Sequence, residues 1–140
     1  MNIDLARNLI AAARLAAGER GLKPISVAVL DAGGHVRAFE REDGPGNARF
    51  EVAFGKANGA LALGLGSRAL MARAEQQPYF ISAVSGLVPG GLVPVPGGVL
   101  IQTDGGELIG AMGVSGDTSD NDEAVAVTAI EAAGLVAVTG

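Results

Sequence analysis

The residues of this chain best suited to chemistry are a set of cations, one histidine, and one loop crowded with glycines, hydroxyls and acids. Arg41 closes a short mixed run. Arg49, Ala53, Lys56 and Ala60 then follow at steps of four, three and four, which is one stripe of a helix. A guanidinium is a planar two-pronged donor matched to a carboxylate, so Arg41 and Arg49 are candidate ligands for an organic anion. Glu40, Glu42, Asp43 and Glu51 lie close enough in sequence to take the same cations as plain ion pairs. His35 is the only histidine, which excludes a multi-histidine metal site. Beside a predicted turn it can serve as a haem ligand, as an acid/base, or merely as a solvated strand residue.

The crowded loop is "GVSGDTSDNDEA", residues 113–124. A phosphate loop needs a Gly-Lys-Ser/Thr ending, and no lysine occurs after Lys56. A calcium loop could begin with Asp117, Ser119 and Asn121. Asp122 then stands where that loop requires glycine, and Thr128 where it requires glutamate. A nucleophile elbow needs G-x-S-x-G, and here the first glycine comes one place too early. A helix start fits: Ser119-x-x-Asp122 and Asp120-x-x-Glu123 both follow the capping-box pattern, and acids there oppose the helix dipole. Gly113 and Gly116 bracket Val114 and Ser115, so the backbone can approach another chain or a ligand closely. Ser115 and the neighbouring amides are therefore candidate lining residues. "GLGSRA", 64–69, echoes a dinucleotide fingerprint but joins two helices, and reads as a break between them.

These residues need elements to hold them. Apolar side chains at three- and four-residue steps predict a helix over 3–20, with Gly21 as its stop. "ISVAVLD" (25–31) and "HVRAFER" (35–41) predict two strands of a hairpin about "AGG". Alternation puts His35, Arg37, Phe39 and Arg41 on one face of the second strand, and Val36 and Ala38 on the other. A helix is expected over 48–63 with Asn47 as its cap, and another over 67–75 capped by Ser67 and ended by Pro78. Residues 84–98 hold three of the six prolines and five glycines, and read as a surface loop with at most a short edge strand. "GVLIQTD" (98–104) and "GELIGAMGVSG" (106–116) predict a second hairpin. A last helix is expected over 121–138. The order α-β-β-α-α-(β)-β-β-α implies an α+β fold with an antiparallel sheet, in one domain spanning 1–140.

Composition narrows the function classes. The net charge is −5 with no basic cluster, against nucleic-acid binding and against an anionic membrane surface. No cysteine is present, which excludes disulfides, zinc–thiolate sites and thiolate catalysis. Charges at Asp4, Arg7 and Arg14 interrupt the N-terminal apolar pattern, so no signal peptide or membrane span is expected, and a cytoplasmic location is the default. Gly is 22 of 140 residues, a supply of small side chains for close contact between elements or subunits.

Four stretches then carry a resemblance: "VAVLDAGGHVRAFEREDG" (27–44), "FGKANGA" (54–60), "VPGGVLI" (95–101) and "GELIGAMGVSGDTSDNDEAVA" (106–126). Through them the whole chain resembles the GlcG/HbpS family, which includes the C-terminal domain of PduO-type proteins. The resemblance implies a profilin-like or PAS-like five-stranded antiparallel sheet flanked by helices, and a homo-oligomer. It implies either a haem-binding protein, some such relatives acting in redox sensing, or a small enzyme on unsaturated carboxylic acids; many relatives accompany catabolic operons. A haem site in this family can use a histidine of the first helix. Residues 3–20 contain none, which leaves His35, a hydroxyl such as Thr103, or surface stacking. The expectation is a protein binding an anionic or planar organic ligand, haem included, in an Arg/Lys-lined pocket between subunits. Its ligand-binding residues would be Arg41, Arg49, Ser115, Gly113, Gly116 and His35. The alternative is a cofactor-independent tautomerase, hydrolase or dehalogenase. There Lys56 would steady enolate charge or move a proton, the Gly113–Gly116 amides would take an oxyanion, and Asp31 would be a further acid/base if it does not merely cap its turn.

Overall fold

The computed structural model describes residues 1–140. Helix α1 (Ile3–Glu19) begins where the Asn2 side chain accepts the Leu5 amide at 2.8 Å, with Asp4 in its first turn. It is followed by β1 (Ser26–Asp31), β2 (Val36–Arg41), α2 (Arg49–Leu63), α3 (Ser67–Gln76), α4 (Pro78–Ser85), β3 (Gly98–Gln102), β4 (Leu108–Ser115), α5 (Ser119–Ala132) and β5 (Val136–Val138). The five strands form one antiparallel sheet in the order β2-β1-β4-β3-β5. The α+β fold with a five-stranded antiparallel sheet is thus the expected one.

Four expectations are corrected. The fifth strand is not in 84–98. It is β5, because Gly134, at φ +73, ends the last helix and turns Val136–Val138 onto the edge of β3. Pro78 does not only end a helix. It opens α4, since proline suits the first helical position, where its missing N–H has no partner to lose. Neither Asn47 nor Ser67 caps its helix: the cap position of α2 is Ala48, which supplies no side-chain bond, and Ser67 is fully buried and accepts the Gly98 amide at 2.7 Å. Finally, the pairing of β1 with β2 slips so that Val36, not Arg37, stands opposite Leu30. The extra residue breaks the alternation, so Phe39 and Arg41 share a face but His35 and Arg37 do not simply continue it.

Alternation along the three central strands makes two unlike faces. Val27, Val29, Val99, Ile101, Met112 and Val114 join the buried side of α1 and α5 in one apolar core. The opposite face offers Ser26, Ala28, Leu30, Gly98, Leu100, Ala111, Gly113 and Ser115 to α2. Small residues are needed there. A methyl group on Gly113 would overlap the Ala53 carbonyl, and one on Gly98 would overlap that of Lys56. On its outer side α2 is crossed by the segment 86–97. Gly55 and Gly59 admit Val93 and Leu92, and the Val93 amide bonds to the Gly55 carbonyl at 3.0 Å.

Candidate functional site

The helical stripe Arg49–Ala53–Lys56–Ala60 faces the sheet. Lys56 is 2% exposed, and its Nζ donates to the Val114 carbonyl and to Asp122 Oδ2, each at 2.9 Å. It lines no cavity. Burial pushes the Lys56 pKa down; the Asp122 carboxylate opposes this and the Arg49 charge adds to it. Burial likewise pushes the Asp122 carboxyl up, against the attraction of Lys56. The other Asp122 oxygen accepts the Asp117 amide at 3.0 Å, and the Gly116 amide also favours its charge. The turn at 116–117 therefore does hold an anion, supplied from inside the protein by the first turn of α5. The cap of α5 is Thr118, which accepts the Asn121 amide, while Asp120 and Glu123 bind Arg68 of α3. This replaces both capping boxes read from the sequence.

Gly113 and Gly116 are packing positions. Gly113 lies beneath α2, and Gly116 lies against the backbone of Pro24 and Ile25. Ser115 Oγ accepts from Arg49 Nη1 at 3.0 Å. Across the sheet, Ser115 stands opposite Ser26, and Ser26 opposite Arg41. Ser26 Oγ is fully buried without a hydrogen-bond partner. Arg41 borders an open groove of about 550 Å³ with Arg14, Pro24, Glu40, Glu42 and Asp43. That groove is the larger of two cavities, yet it has no apolar wall, and Arg14 is already paired with Glu40 and Glu42. It does not suit a planar organic ligand.

The other end of β1 carries the better pocket, about 370 Å³, lined by Ala32, Gly33, Gly34, Phe54, Asn58, Leu61, Ala62, Val88 and Pro89. Two helical turns of α2 supply one wall, and the β1–β2 turn and the crossing segment supply the others. Asn58 Nδ2 fixes that segment by donating to the carbonyls of Pro89 (2.9 Å) and Gly91 (2.8 Å). Phe54 continues a row of rings: Phe50 stacks on it at 5.8 Å, and Phe39 meets Phe50 edge-on at 4.8 Å. Next to Gly33, Asp31 Oδ1 meets His35 Nδ1 at 3.2 Å and also accepts the Gly33 and His35 amides. The His35 amide foremost, with that of Gly33, holds the Asp31 carboxyl below its ordinary value against the effect of burial. An ionised carboxylate only accepts, so the neutral ring carries its proton on Nδ1 and leaves the Nε2 lone pair free. The His35 side chain is 80% exposed.

The structure thus joins Asp31 to His35, Arg49 to Ser115, and Lys56 to Asp122. It does not bring Arg41, Arg49 and Lys56 around one cavity. Sequence reading missed Asp122, Asn58 and Ser26. Asn58 had a signal, an amide inside the Gly/Ala stretch "KANGA". The partner of Asp122 is 66 residues away, beyond any local spacing. No group of three or more acids and histidines forms a metal site, and no helix is long and apolar enough to cross a membrane.

Comparison with known proteins agrees with this architecture. No curated protein gives a significant match. A solved PduOC:heme complex superposes with a TM-score of 0.85 at 27% identity, covering 97% of this chain and 96% of that one. A double mutant of Streptomyces reticuli HbpS gives 0.80 at 27%, covering 94% and 86%. The Klebsiella pneumoniae protein ORFY, of family DUF336, gives 0.82 at 24%, covering 94% and 88%, a likeness of fold alone. The model of the HbpS-like family, described as haem degrading protein HbpS-like, matches residues 1–131, and the chain belongs to that family.

Proposed function

We propose that this chain is a small-ligand-binding protein whose ligand is a planar, anionic molecule of the haem type. The observation that carries the reading is the Asp31–His35 pair beside the pocket of Phe54, Leu61, Ala62, Val88 and Pro89. A ligating histidine commonly donates its second ring N–H to a carboxylate, which fixes the ring and raises its basicity. His35 has that arrangement, with Nε2 left to meet a metal. The residues present fit haem: one oriented imidazole beside an apolar wall that carries an aromatic ring. When bound, haem would supply an iron centre able to change oxidation state or take an exogenous ligand. The protein's own part is to orient His35 through Asp31, to shield one face of the ligand, and to hold the wall in place through Asn58. The likeness to a PduO domain solved with haem supports the same ligand class.

Assembly as a homo-oligomer belongs to the same reading. Tyr79 and Leu87, on and just after α4, are 72% and 79% exposed, a supply of apolar surface for a second copy. The enzyme alternative gains nothing from the geometry, because Lys56 is enclosed with both of its bonds made inside the protein.

The test is a hemin titration followed at the Soret band, with His35→Ala and Asp31→Asn alongside. Saturable one-to-one binding with a sharp, shifted band is expected. It should disappear in His35→Ala, and weaken by about tenfold or more in Asp31→Asn, as for other outer partners of a ligating histidine. A broad, unsaturable rise, equal in all three proteins, would overturn the reading.

A further inference from the structure

The opposite end of β1 poses a separate problem of charge. Arg49 is half-buried, has no carboxylate within ion-pair distance, and bonds only the neutral Ser115 hydroxyl. It also acts on another cation, Lys56, whose pKa it helps to lower. A partly buried guanidinium without an acceptor of opposite charge is costly, and its remaining N–H groups call for one. Three further features stand at the same place. Helix α2 begins at Arg49 with no side-chain cap, so the Phe50 and Glu51 amides have no partner. Ser26 Oγ, fully buried and unpartnered, lies beside Ser115 on the face of the sheet that α2 covers. Arg41 is the cross-strand neighbour of Ser26, and it too has no ion pair. Adjacent strands are about 4.8 Å apart, so Arg41, Ser26 and Ser115 span only some 10 Å.

We propose that this corner is a second binding site, for the carboxylate of a small organic acid. Arg49 takes the carboxylate with its planar fork, the first-turn amides of α2 and the helix dipole favour the same charge, and Ser26 and Ser115 form a hydroxyl floor. Arg41 sits at the open side and adds attraction for the anion. The site lies at the other end of α2 from His35 and shares no residue with the proposed haem pocket, so the two can fail independently.

The experiment follows backbone amide resonances of the full chain during titration with sodium acetate, against sodium chloride at equal ionic strength. Acetate should shift Phe50 and Glu51 saturably, and chloride should not. Arg49→Gln should weaken acetate binding about tenfold or more, the scale of one charged hydrogen bond. Arg49→Lys, which keeps the charge without the fork, should recover only part of it. Ser26→Ala should weaken binding less than Arg49→Gln. His35→Ala should bind acetate as the wild type does. Equal shifts with both salts, or an unchanged acetate response in Arg49→Gln with the rest of its spectrum preserved, would overturn the proposal.

Discussion

The two faces of the sheet are made by the same strands and do different work. Toward α1 and α5 the alternating residues are Val27, Val29, Val99, Ile101, Met112 and Val114, part of a core of 17 buried apolar residues. Toward α2 the positions between them are Ser26, Ala28, Gly98, Ala111, Gly113 and Ser115, with a cluster of only five. Each fully buried aliphatic side chain contributes roughly 1.5–3 kcal/mol, so the first face carries most of the hydrophobic stabilisation. The second face lets a helix lie close on the strands and gathers the buried polar groups Ser26, Lys56, Asn58, Ser67 and Ser115. One sheet is thus apolar and strongly packed on one side while its other side is free to arrange polar chemistry.

The sharpest way to break that contrast is at Lys56. Replacing it by methionine leaves Asp122 buried beside the 116–117 turn without its counter-ion. Removal of one member of a buried pair typically costs about 3–5 kcal/mol, so Lys56→Met should lower the urea midpoint strongly. Adding Asp122→Asn, which keeps an acceptor for the Asp117 amide but removes the charge, should recover most of the loss. If the double variant is no more stable than Lys56→Met, the polar face is not organised around this pair.

A milder change tests the dry face. Ile101→Val removes one methylene from a fully buried position among the α1 and α5 contacts, and should cost about 0.5–1.5 kcal/mol. Hemin and acetate binding should remain those of the wild type, because Ile101 points away from α2. A change in either affinity without further loss of stability would show that the faces are coupled.

Four of the five strands and both hairpins were legible in the sequence because alternation and turn residues are local signals. So was the apolar side of α1. The parts that escaped were those settled over long range or by context. Leu135–Val138 is too short an apolar run to distinguish a strand from a helix end, and the β3 edge decides it. Pro78 marks a boundary in either reading, and only packing shows that a helix begins there. The candidate residues Asp31, His35, Arg49 and Ser115 could be chosen by type, yet their pairing could not, except where four residues separate Asp31 from His35. Ser26 looked like the start of a strand. Its lack of a partner is a property of the packed sheet.

The smallest expected effect compares two acids five residues apart. Asp122 turns inward and burial raises its pKa, whereas Asp117 stays near the surface and its pKa falls to about 2. The Asn121 side chain, then the Lys23 and Thr118 amides, produce that fall by donating to the carboxylate. The signs are opposite. A carboxyl with a lowered pKa stabilises the fold above its unfolded value, near 4, and loses that contribution as pH drops toward 2. A carboxyl with a raised pKa favours the folded state when protonated, and that advantage disappears as pH rises through the folded value. Asp117→Asn should therefore be less stable than wild type at pH 5, with the gap closing as urea midpoints are taken down to pH 2.5. Because Asp117 lies near the surface, salt should narrow the gap at pH 5 as well. Parallel curves for the two proteins would mean that the charge of Asp117 does nothing for the fold, and that its oxygens serve only as hydrogen-bond acceptors tying the Lys23 strand entry to α5.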